Sequence, residues 1–156
     1  MHRFLRVLKN TLGVLLLSLA LAPAAQAAQA APTTPESLQG TKVITADTAK
    51  AMVEKGVLIV DARLSEEYAE LHIKGARSIP YQEMSVRSVD YDAKKDSFDV
   101  ARLPADKTKP IIFYDNGVEC WKSYKTAKAI IKVGYTNIYW LRGGIPEWKA
   151  KGYPVE

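Results

Sequence analysis

The sequence predicts one α/β domain built as a doubly wound parallel sheet with helices on both faces. Two short runs, residues 57–60 and 111–114, are continuously apolar, as expected for strands covered by helices on both sides. Helical signals lie between the predicted strands on short connections, which is the pattern of repeated β-α-β units. The length of 156 residues, with 47% hydrophobic and 25% charged side chains, is that of about one globular domain.

The first predicted elements are a strand, a helix, a strand and a helix at residues 43–44, 46–55, 57–60 and 66–71. Thr45 and Ser65 stand where a side-chain oxygen can cap the first turn of each helix. Gly56 ends the first helix, because glycine readily adopts the left-handed conformation that often follows a helix.

The later elements are expected at residues 78–79, 111–114, 124–133, 137–141 and 145–150. Polar and charged residues dominate the stretch 84–108, which predicts a long surface excursion. The third helix is indicated by the helical spacing of its apolar residues Tyr124, Ala127, Ile130 and Ile131. Ser123 then becomes the natural cap of this helix, and Gly134 ends it.

Charge and composition exclude several classes of function. The formal charge of +5 comes from 22 Lys and Arg against 17 Asp and Glu, and three of the cations lie in the first ten residues. The remaining 19 cations against 17 carboxylates give +2, which argues against a nucleic-acid partner. One Cys and, outside the first 27 residues, one His cannot build a zinc or iron–sulfur cage within one chain, so no metal and no cofactor are expected.

Residues 1–27 have the layout of a secretory signal peptide: a basic start, an apolar run over 12–22 and an Ala-Gln-Ala site at 25–27. The apolar run is too short to cross about 30 Å of hydrocarbon. A second Ala-Gln-Ala at 28–30 leaves cleavage after Ala30 open. We therefore expect a periplasmic protein that has no membrane attachment after the signal peptide is cleaved. The mature chain is expected to consist of a flexible lead-in over 28–41 and one domain over 42–156.

Two patterns in the chain match a known family. The first consists of Val-Asp-Ala-Arg, Glu-Tyr, His-Ile-Lys-Gly-Ala and Ile-Pro at residues 60–63, 67–68, 72–76 and 79–80. The second consists of Gly-Tyr, Leu-Arg-Gly-Gly and a following Trp at residues 134–135, 141–144 and 148. Together they resemble the signatures of rhodanese-like domains over about residues 43–156. The resemblance implies the doubly wound fold and, in active members, a Cys that accepts a sulfane sulfur from thiosulfate or a persulfide.

Several residues of these patterns have a structural interpretation. Asp61 and Arg63 are expected to form an ion pair that fixes the turn after the second strand. His72 has no second His to share a metal and is expected to be a hydrogen-bonded loop residue. Trp148, at helical spacing in an apolar tail, is expected in the core.

The loop 115–123 departs from the usual family pattern. Active members commonly place the nucleophilic Cys directly after the central strand, where this chain has Asp115. The loop resembles a branch of exported single-domain rhodaneses in which Tyr-Cys-Asn-Gly precedes a Cys-Trp pair, so that Cys120 matches the second Cys. A competing alignment takes Cys120 to Thr126 as Cys-x4-Arg-Thr with Lys in place of Arg, at the expense of a shorter helix.

Cys120 is the candidate nucleophile under either alignment. Its predicted place before a helix N-terminus and the nearby lysines favour the thiolate, while Asp115 and Glu119 oppose it. The expected substrate-binding residues are those of the same loop and first turn, namely Gly117, Trp121, Lys122, Ser123 and Lys125.

The leading hypothesis is a sulfurtransferase that moves sulfur from a small anionic donor to a thiol or protein acceptor through a Cys120 persulfide. The alternative is an inactive module of the same fold, which binds a small anion or a periplasmic partner protein. Phosphate ester hydrolysis is disfavoured because lysines cannot grip phosphate as the bidentate Arg of such phosphatases does. Disulfide exchange by a Cys pair is excluded within one chain.

Overall fold

The computed structural model describes residues 31–156. Five strands, β1 to β5, span Thr41–Val43, Leu58–Asp61, Arg77–Ser78, Ile111–Tyr114 and Ile138–Leu141. Four α-helices, α1 to α4, span Ala46–Val53, Ser65–Glu70, Lys122–Lys132 and Gly144–Ala150. No helix of this part of the chain is long and apolar enough to cross a membrane. The predicted signal peptide and its cleavage sites lie outside the described residues.

All five strands are parallel and lie in the order β1-β5-β4-β2-β3. Asp61, Tyr114 and Leu141 are in register at the ends of β2, β4 and β5. The loops that follow these three strands therefore meet at one edge of the sheet, the usual place for a ligand site in this architecture.

Helices cover both faces of the sheet, which confirms the predicted fold class. Residues of α1 and α4, such as Ala49 and Trp148, pack against Ile59 and Ile112 on one face. On the other face, Ala127 and Ile130 of α3 join a second core cluster of alternate strand residues and the excursion residues Leu103, Phe98 and Val100. The expectation that Trp148 lies in the core is confirmed, since it is 2% exposed.

The excursion between β3 and β4 is more ordered than a solvated loop. It contains two short 3₁₀ helices, Ala93–Lys95 and Val100–Arg102, each capped by an aspartate side chain. The carboxylate of Asp96 accepts hydrogen bonds from the backbone N–H of Met84 and of Ser85, and from the Ser85 hydroxyl. These bonds fold the excursion back on itself beside α3.

Candidate active site

A buried polar group at the end of β2 supports the carboxyl edge of the sheet. The Arg63 guanidinium contacts the Asp61 carboxylate at 2.6 Å and donates to the carbonyl of Leu71 at 2.7 Å. Tyr114 donates its hydroxyl hydrogen to the same carboxylate and accepts the N–H of Ile73. The predicted structural ion pair between Asp61 and Arg63 is therefore confirmed, and it fixes the turn between β2 and α2.

His72 is also a hydrogen-bonded loop residue, as predicted. Its Nδ1 lies 2.8 Å from the carbonyl oxygen of Tyr68, and the two rings stack at 3.7 Å. Its Nε2 lies 3.6 Å from the carboxylate of Glu156. These contacts tie His72 to Tyr68 of α2 and to Glu156, and His72 does not line the pocket over Cys120.

Asp115 is completely buried at the tip of β4 and acts as the cap of α3. Its Oδ2 accepts the N–H of Ser123 at 2.7 Å, and its Oδ1 accepts the N–H of Gly117 at 3.0 Å. Burial raises the pKa of the Asp115 carboxyl to about 6, while these N–H donors and the hydroxyl of Ser123 act in the opposite direction. The carboxylate thus occupies the backbone donors that the loop could otherwise offer to an anion.

The predicted role of Ser123 as the cap of α3 is wrong. The helix begins at Lys122, after Trp121, and Ser123 lies inside its first turn with 1% exposure. Its hydroxyl accepts the indole N–H of Trp140 at 2.9 Å, and its hydrogen is directed to Asp115. Ser123 is therefore a buried support for Asp115 and cannot contact a substrate.

Cys120 is half-buried in the loop between β4 and α3. The backbone N–H groups of Asn116 and Lys122 lie near its sulfur and act to lower the pKa of the thiol. Burial, and after it the negative charge of Asp115, outweigh these N–H groups and raise the pKa of the Cys120 thiol to about 12. The sequence indicated both influences, the helix N-terminus and lysines that favour the thiolate and the carboxylates that oppose it, but it could not estimate the burial that dominates.

An open pocket of about 490 Å³ lies over Cys120. Its wall is formed by Leu64, Glu67, Glu83, Arg87, Asn116, Glu119, Cys120 and Lys122. Lys122 lines the pocket, and its ammonium donates to the carbonyl of Tyr81 at 3.1 Å. The described residues contain no group of His, Cys, Asp and Glu that could hold a metal ion.

The prediction that Lys125 attracts the substrate is corrected by the structure. Its ammonium is fully buried behind the pocket, 2.8 Å from the Glu83 carboxylate and 3.6 Å from Asp96. It also donates to the Ser85 hydroxyl and lies over the Tyr91 ring. Lys125 therefore holds the excursion against α3.

Trp121 and Gly117, which were also predicted to bind substrate, support the loop and do not line the pocket. Trp121 is 3% exposed, packs against Tyr124, and donates its indole N–H to the carbonyl of Pro32. Gly117 has a φ of +99°, and a Cβ there would lie 3.0 Å from the carbonyl oxygen of Gly143. Gly117 therefore shapes the loop, and Trp121 anchors it.

The segment before β1, part of the predicted flexible lead-in, is hydrogen-bonded to the Cys120 loop. Thr34 is 2% exposed and donates its N–H and its hydroxyl to the carbonyl of Val118. Arg142 donates to the carbonyls of Thr34 and Pro35 at 2.6 and 2.8 Å. The segment has no regular secondary structure, but it closes one side of the loop.

Sequence reasoning did not assign Glu67 and Arg87 to the pocket wall. Glu67 was noted only as part of a family pattern, yet its two oxygens accept from Asn116 Nδ2 and from the N–H of Leu64. Arg87 lay within the excursion and was not singled out. No local signal identifies Arg87, because only the return of the excursion toward α3 brings it to Cys120.

The family model for the rhodanese-like domain matches residues 45–151. The thiosulfate sulfurtransferase GlpE of Pseudomonas fluorescens is 28% identical over 120 residues, covering 74% of this chain and 90% of that protein. The uncharacterized protein YqhL of Bacillus subtilis is 32% identical over 111 residues, covering 70% of this chain and 74% of that one. The crystal structure of the BH2092 protein from Bacillus halodurans has a TM-score of 0.56 and 28% identity, over 74% of this chain and 76% of that chain.

These matches agree with the parallel sheet, the helices on both faces and the position of the loop after β4. The matched family region runs from the residue before α1 to the residue after α4. The chain therefore belongs to the rhodanese-like domain family.

Proposed function

We propose that the protein is a sulfurtransferase that carries a sulfane sulfur on Cys120. The observation that supports this most directly is the position of the chain's one thiol in the wall of a pocket at the carboxyl edge of the sheet. Two backbone N–H groups near its sulfur, of Asn116 and Lys122, favour the thiolate. The GlpE relatives, named as thiosulfate sulfurtransferases, make this chemistry the natural one to test.

With thiosulfate, the Cys120 thiolate attacks the outer sulfur of the donor. The sulfur–sulfur bond of thiosulfate breaks, and its electron pair leaves with sulfite. The product is a Cys120 persulfide, whose outer sulfur is then attacked by an acceptor thiolate or by cyanide, and the Cys120 thiolate is regenerated. The N–H groups of Asn116 and Lys122 would stabilise negative charge on the inner sulfur at both steps.

The raised pKa of Cys120 makes the first step slow at neutral pH. Only the thiolate attacks, and a pKa of about 12 leaves a small fraction of it near pH 7. The proposed enzyme is therefore weak with thiosulfate and faster at alkaline pH. The Asp115 carboxylate is the second cause of this raised pKa, after burial, and the one that a single substitution can remove.

A specific observation favours a second candidate, an inactive binding module. The Asp115 carboxylate already takes the N–H groups of Gly117 and Ser123, so the loop presents fewer free donors to an anion. Three carboxylates also line the pocket against two cations. A module with this loop would recognise a partner protein without any sulfur chemistry.

Mass spectrometry of the intact protein after incubation with thiosulfate, or with an inorganic polysulfide, separates the two candidates. We expect one added sulfur on the parent, more of it at pH 9 than at pH 7, and none on Cys120→Ser. The matched control is Ser37→Cys in the Cys120→Ser background, which restores a thiol at an exposed site away from the pocket. If the parent gains no sulfur from either donor, or no more than this control, the inactive module replaces the sulfurtransferase.

Export to the periplasm is a separate proposal. It is supported by the basic start, the apolar run and the Ala-x-Ala sites of residues 1–30. In that oxidising compartment an unpaired thiol is unusual. A half-buried Cys120 with a raised pKa would resist unwanted oxidation there, because the thiolate is the form that oxidants attack.

A further inference from the structure

The pocket over Cys120 carries positive charge on one side. Lys122 lies at the start of α3 and spends one of its three N–H donors on the carbonyl of Tyr81. Arg87 comes from the excursion, with a side chain that is 53% exposed. Its Nε contacts Glu83 at 3.3 Å, which leaves four N–H donors of the guanidinium for other groups. Two cations therefore face the pocket with unused donors.

Negative charge lies at other positions of the same wall. Glu119 directly precedes Cys120 and is exposed, and Glu67 enters from α2. Glu83 also lines the pocket, but the buried ammonium of Lys125 lies 2.8 Å behind its carboxylate and compensates its charge. Arg87 pairs with the same Glu83 carboxylate at 3.3 Å, but its exposed guanidinium keeps donors for a ligand. The wall therefore offers a ligand both signs of charge, cations on Arg87 and Lys122 and carboxylates on Glu67 and Glu119.

This arrangement suits a ligand with both charges better than a plain dianion. Thiosulfate is attracted by the cations and repelled by the carboxylates at the same time. A volume of about 490 Å³ is within the range of about 300–1,000 Å³ typical of pockets for small organic ligands. An ammonium group can pair with Glu119 or Glu67 while a carboxylate pairs with Lys122 or Arg87.

We propose that the sulfur donor of this pocket is the persulfide of a zwitterionic thiol, an amino acid or short peptide that bears both an ammonium and a carboxylate. This inference rests on the proposed sulfur transfer through Cys120. It names the donor class that the pocket selects among those that could load this Cys.

The transfer is balanced without any external oxidant. The Cys120 thiolate attacks the outer sulfur of the donor persulfide, the donor's sulfur–sulfur bond breaks, and the electron pair leaves with the donor thiolate. The donor thiolate takes up the proton that Cys120 lost. The net change is exchange of one sulfur between two thiols, so neither partner is oxidised overall.

Four donors test the charge requirement: cysteine persulfide, N-acetylcysteine persulfide without the ammonium, cysteamine persulfide without the carboxylate, and thiosulfate. The rate of Cys120 loading is followed by intact mass and divided by the rate with the urea-unfolded protein, which removes differences in intrinsic reactivity. We expect cysteine persulfide to be at least tenfold faster than each of the other three donors after this correction.

Variants connect each charge of the donor to its side of the pocket. Glu119→Gln should reduce the preference for cysteine persulfide over its N-acetyl form, and Lys122→Met should reduce the preference over cysteamine persulfide. Glu66→Gln and Lys132→Met are matched controls, because these exposed residues of α2 and α3 do not line the pocket. Both controls should keep the parent's preferences.

Equal corrected rates for the four donors, or a faster rate with thiosulfate, would overturn the donor class and leave sulfur transfer intact. The donor class is also overturned if Glu66→Gln and Lys132→Met change the donor preferences as much as Glu119→Gln and Lys122→Met do. If polysulfide also fails to load Cys120, the proposed function itself fails, and this result is distinct from a loss of selectivity.

Discussion

Single side chains at the tip of β4 set the reactivity of the site. The Asp115 carboxylate serves the fold by capping α3, and it works against Cys120 by placing negative charge beside the sulfur. Asp115→Asn removes the charge and also one hydrogen-bond acceptor, because an amide has one acceptor oxygen whereas the carboxylate uses both of its oxygens. Either the N–H of Gly117 or that of Ser123 would then face an NH₂ group.

Alkylation of Cys120 should show its raised pKa directly. With iodoacetamide, we expect a slow rate at pH 7 that keeps rising beyond pH 9, since burial and Asp115 disfavour the thiolate. Asp115→Asn should raise the rate at pH 8 by about tenfold for each unit by which the pKa falls. Asp106→Asn, at an exposed site, is the control and should match the parent. A parent rate that levels off between pH 7 and 8 would contradict this structure of the loop.

The stability of the fold should depend on pH through Asp115. Its pKa is raised to about 6, so the folded state holds this proton more tightly than the unfolded chain, where the pKa is about 3.9. The stabilisation is complete below about pH 4 and is lost as the pH rises through 6. Urea unfolding should show this loss, about 3 kcal/mol in the free energy of unfolding at most, in the parent and not in Asp115→Asn.

The control for this pH dependence is Asp106→Asn. The pKa of the Asp106 carboxyl is lowered by hydrogen bonds from Thr108. Any contribution of this carboxylate to the free energy of unfolding therefore has the opposite sign: it is absent at low pH and is gained as the pH rises through the folded-state pKa. If parent and Asp115→Asn lose stability in parallel between pH 4 and 7, the buried carboxyl is ionised at little cost and the interpretation is wrong.

Side chains whose partners are distant in sequence could not be assigned from the sequence. Lys125 was predicted as a substrate cation because it follows Cys120 closely, but its partners Glu83 and Asp96 come from the excursion. Asp61 and Arg63 were assigned correctly, because a single residue separates the partners and the turn after a strand brings them together. Contacts within one turn are readable from the sequence, whereas contacts that a long excursion creates are not.

At the level of elements, the strands were predicted best. The runs at 57–60 and 111–114 lie within one residue of β2 and β4, since a strand buried on both faces must be continuously apolar. The third helix was placed two residues late, because Ser123 looked like a cap while the capping carboxylate, Asp115, lies eight residues earlier. The two 3₁₀ helices were not predicted, since their positions depend on contacts of the excursion with the sheet and α3.

The close approach of α4 to the Cys120 loop should make Gly144 irreplaceable. Gly144 has a φ of +60°, and a Cβ there would lie 2.2 Å from the Asp115 carbonyl oxygen and 2.5 Å from the Gly117 nitrogen. We expect Gly144→Ala to lower the free energy of unfolding by about 3 kcal/mol or more. Gly152→Ala is the control, with a φ of +69° and open space, and should cost about 1 to 2 kcal/mol. Equal losses in a urea titration would show that the α4 contact does not restrain the loop.

Removal of Lys125 should detach the excursion from α3. Lys125→Met leaves the buried carboxylate of Asp96 without a cation and that of Glu83 with only the exposed Arg87, and breaking such a buried pair typically costs about 3 to 5 kcal/mol. Lys132→Met, exposed at the other end of the same helix, should stay within about 0.5 kcal/mol of the parent. If Lys125→Met keeps the parent's stability and loses only the affinity for the donor, Lys125 is a substrate cation after all.

At the level of the whole molecule, both ends of the described chain are tied to the fold. Glu156 exchanges backbone hydrogen bonds with His72, and its carboxylate accepts the N–H of Gly75. At the other end, Thr34 is bonded to Val118. The sequence predicted one domain over 42–156, and these contacts extend the ordered body to the residues just before β1.

Expression in a bacterium with an outer membrane tests the proposed export. We expect the periplasmic fraction to contain a protein that begins at Ala28, or at Ala31 if the second site is used. Leu16→Arg breaks the apolar run and should keep the full-length precursor in the cytoplasm. N-terminal sequencing measures both, and a parent that begins at Met1 in the membrane fraction would reject a cleavable leader.

The bond between Thr34 and Val118 limits the freedom of a precursor whose leader is still attached. Seven steps of chain join Ala27 to Thr34, and a fully extended chain of that length reaches about 25 Å. If residues 1–27 are a signal peptide held at the membrane during export, this short span would keep Thr34, and the Cys120 loop bonded to it, close to the membrane surface. Cleavage of the signal peptide would then free the folded domain to diffuse away from the membrane.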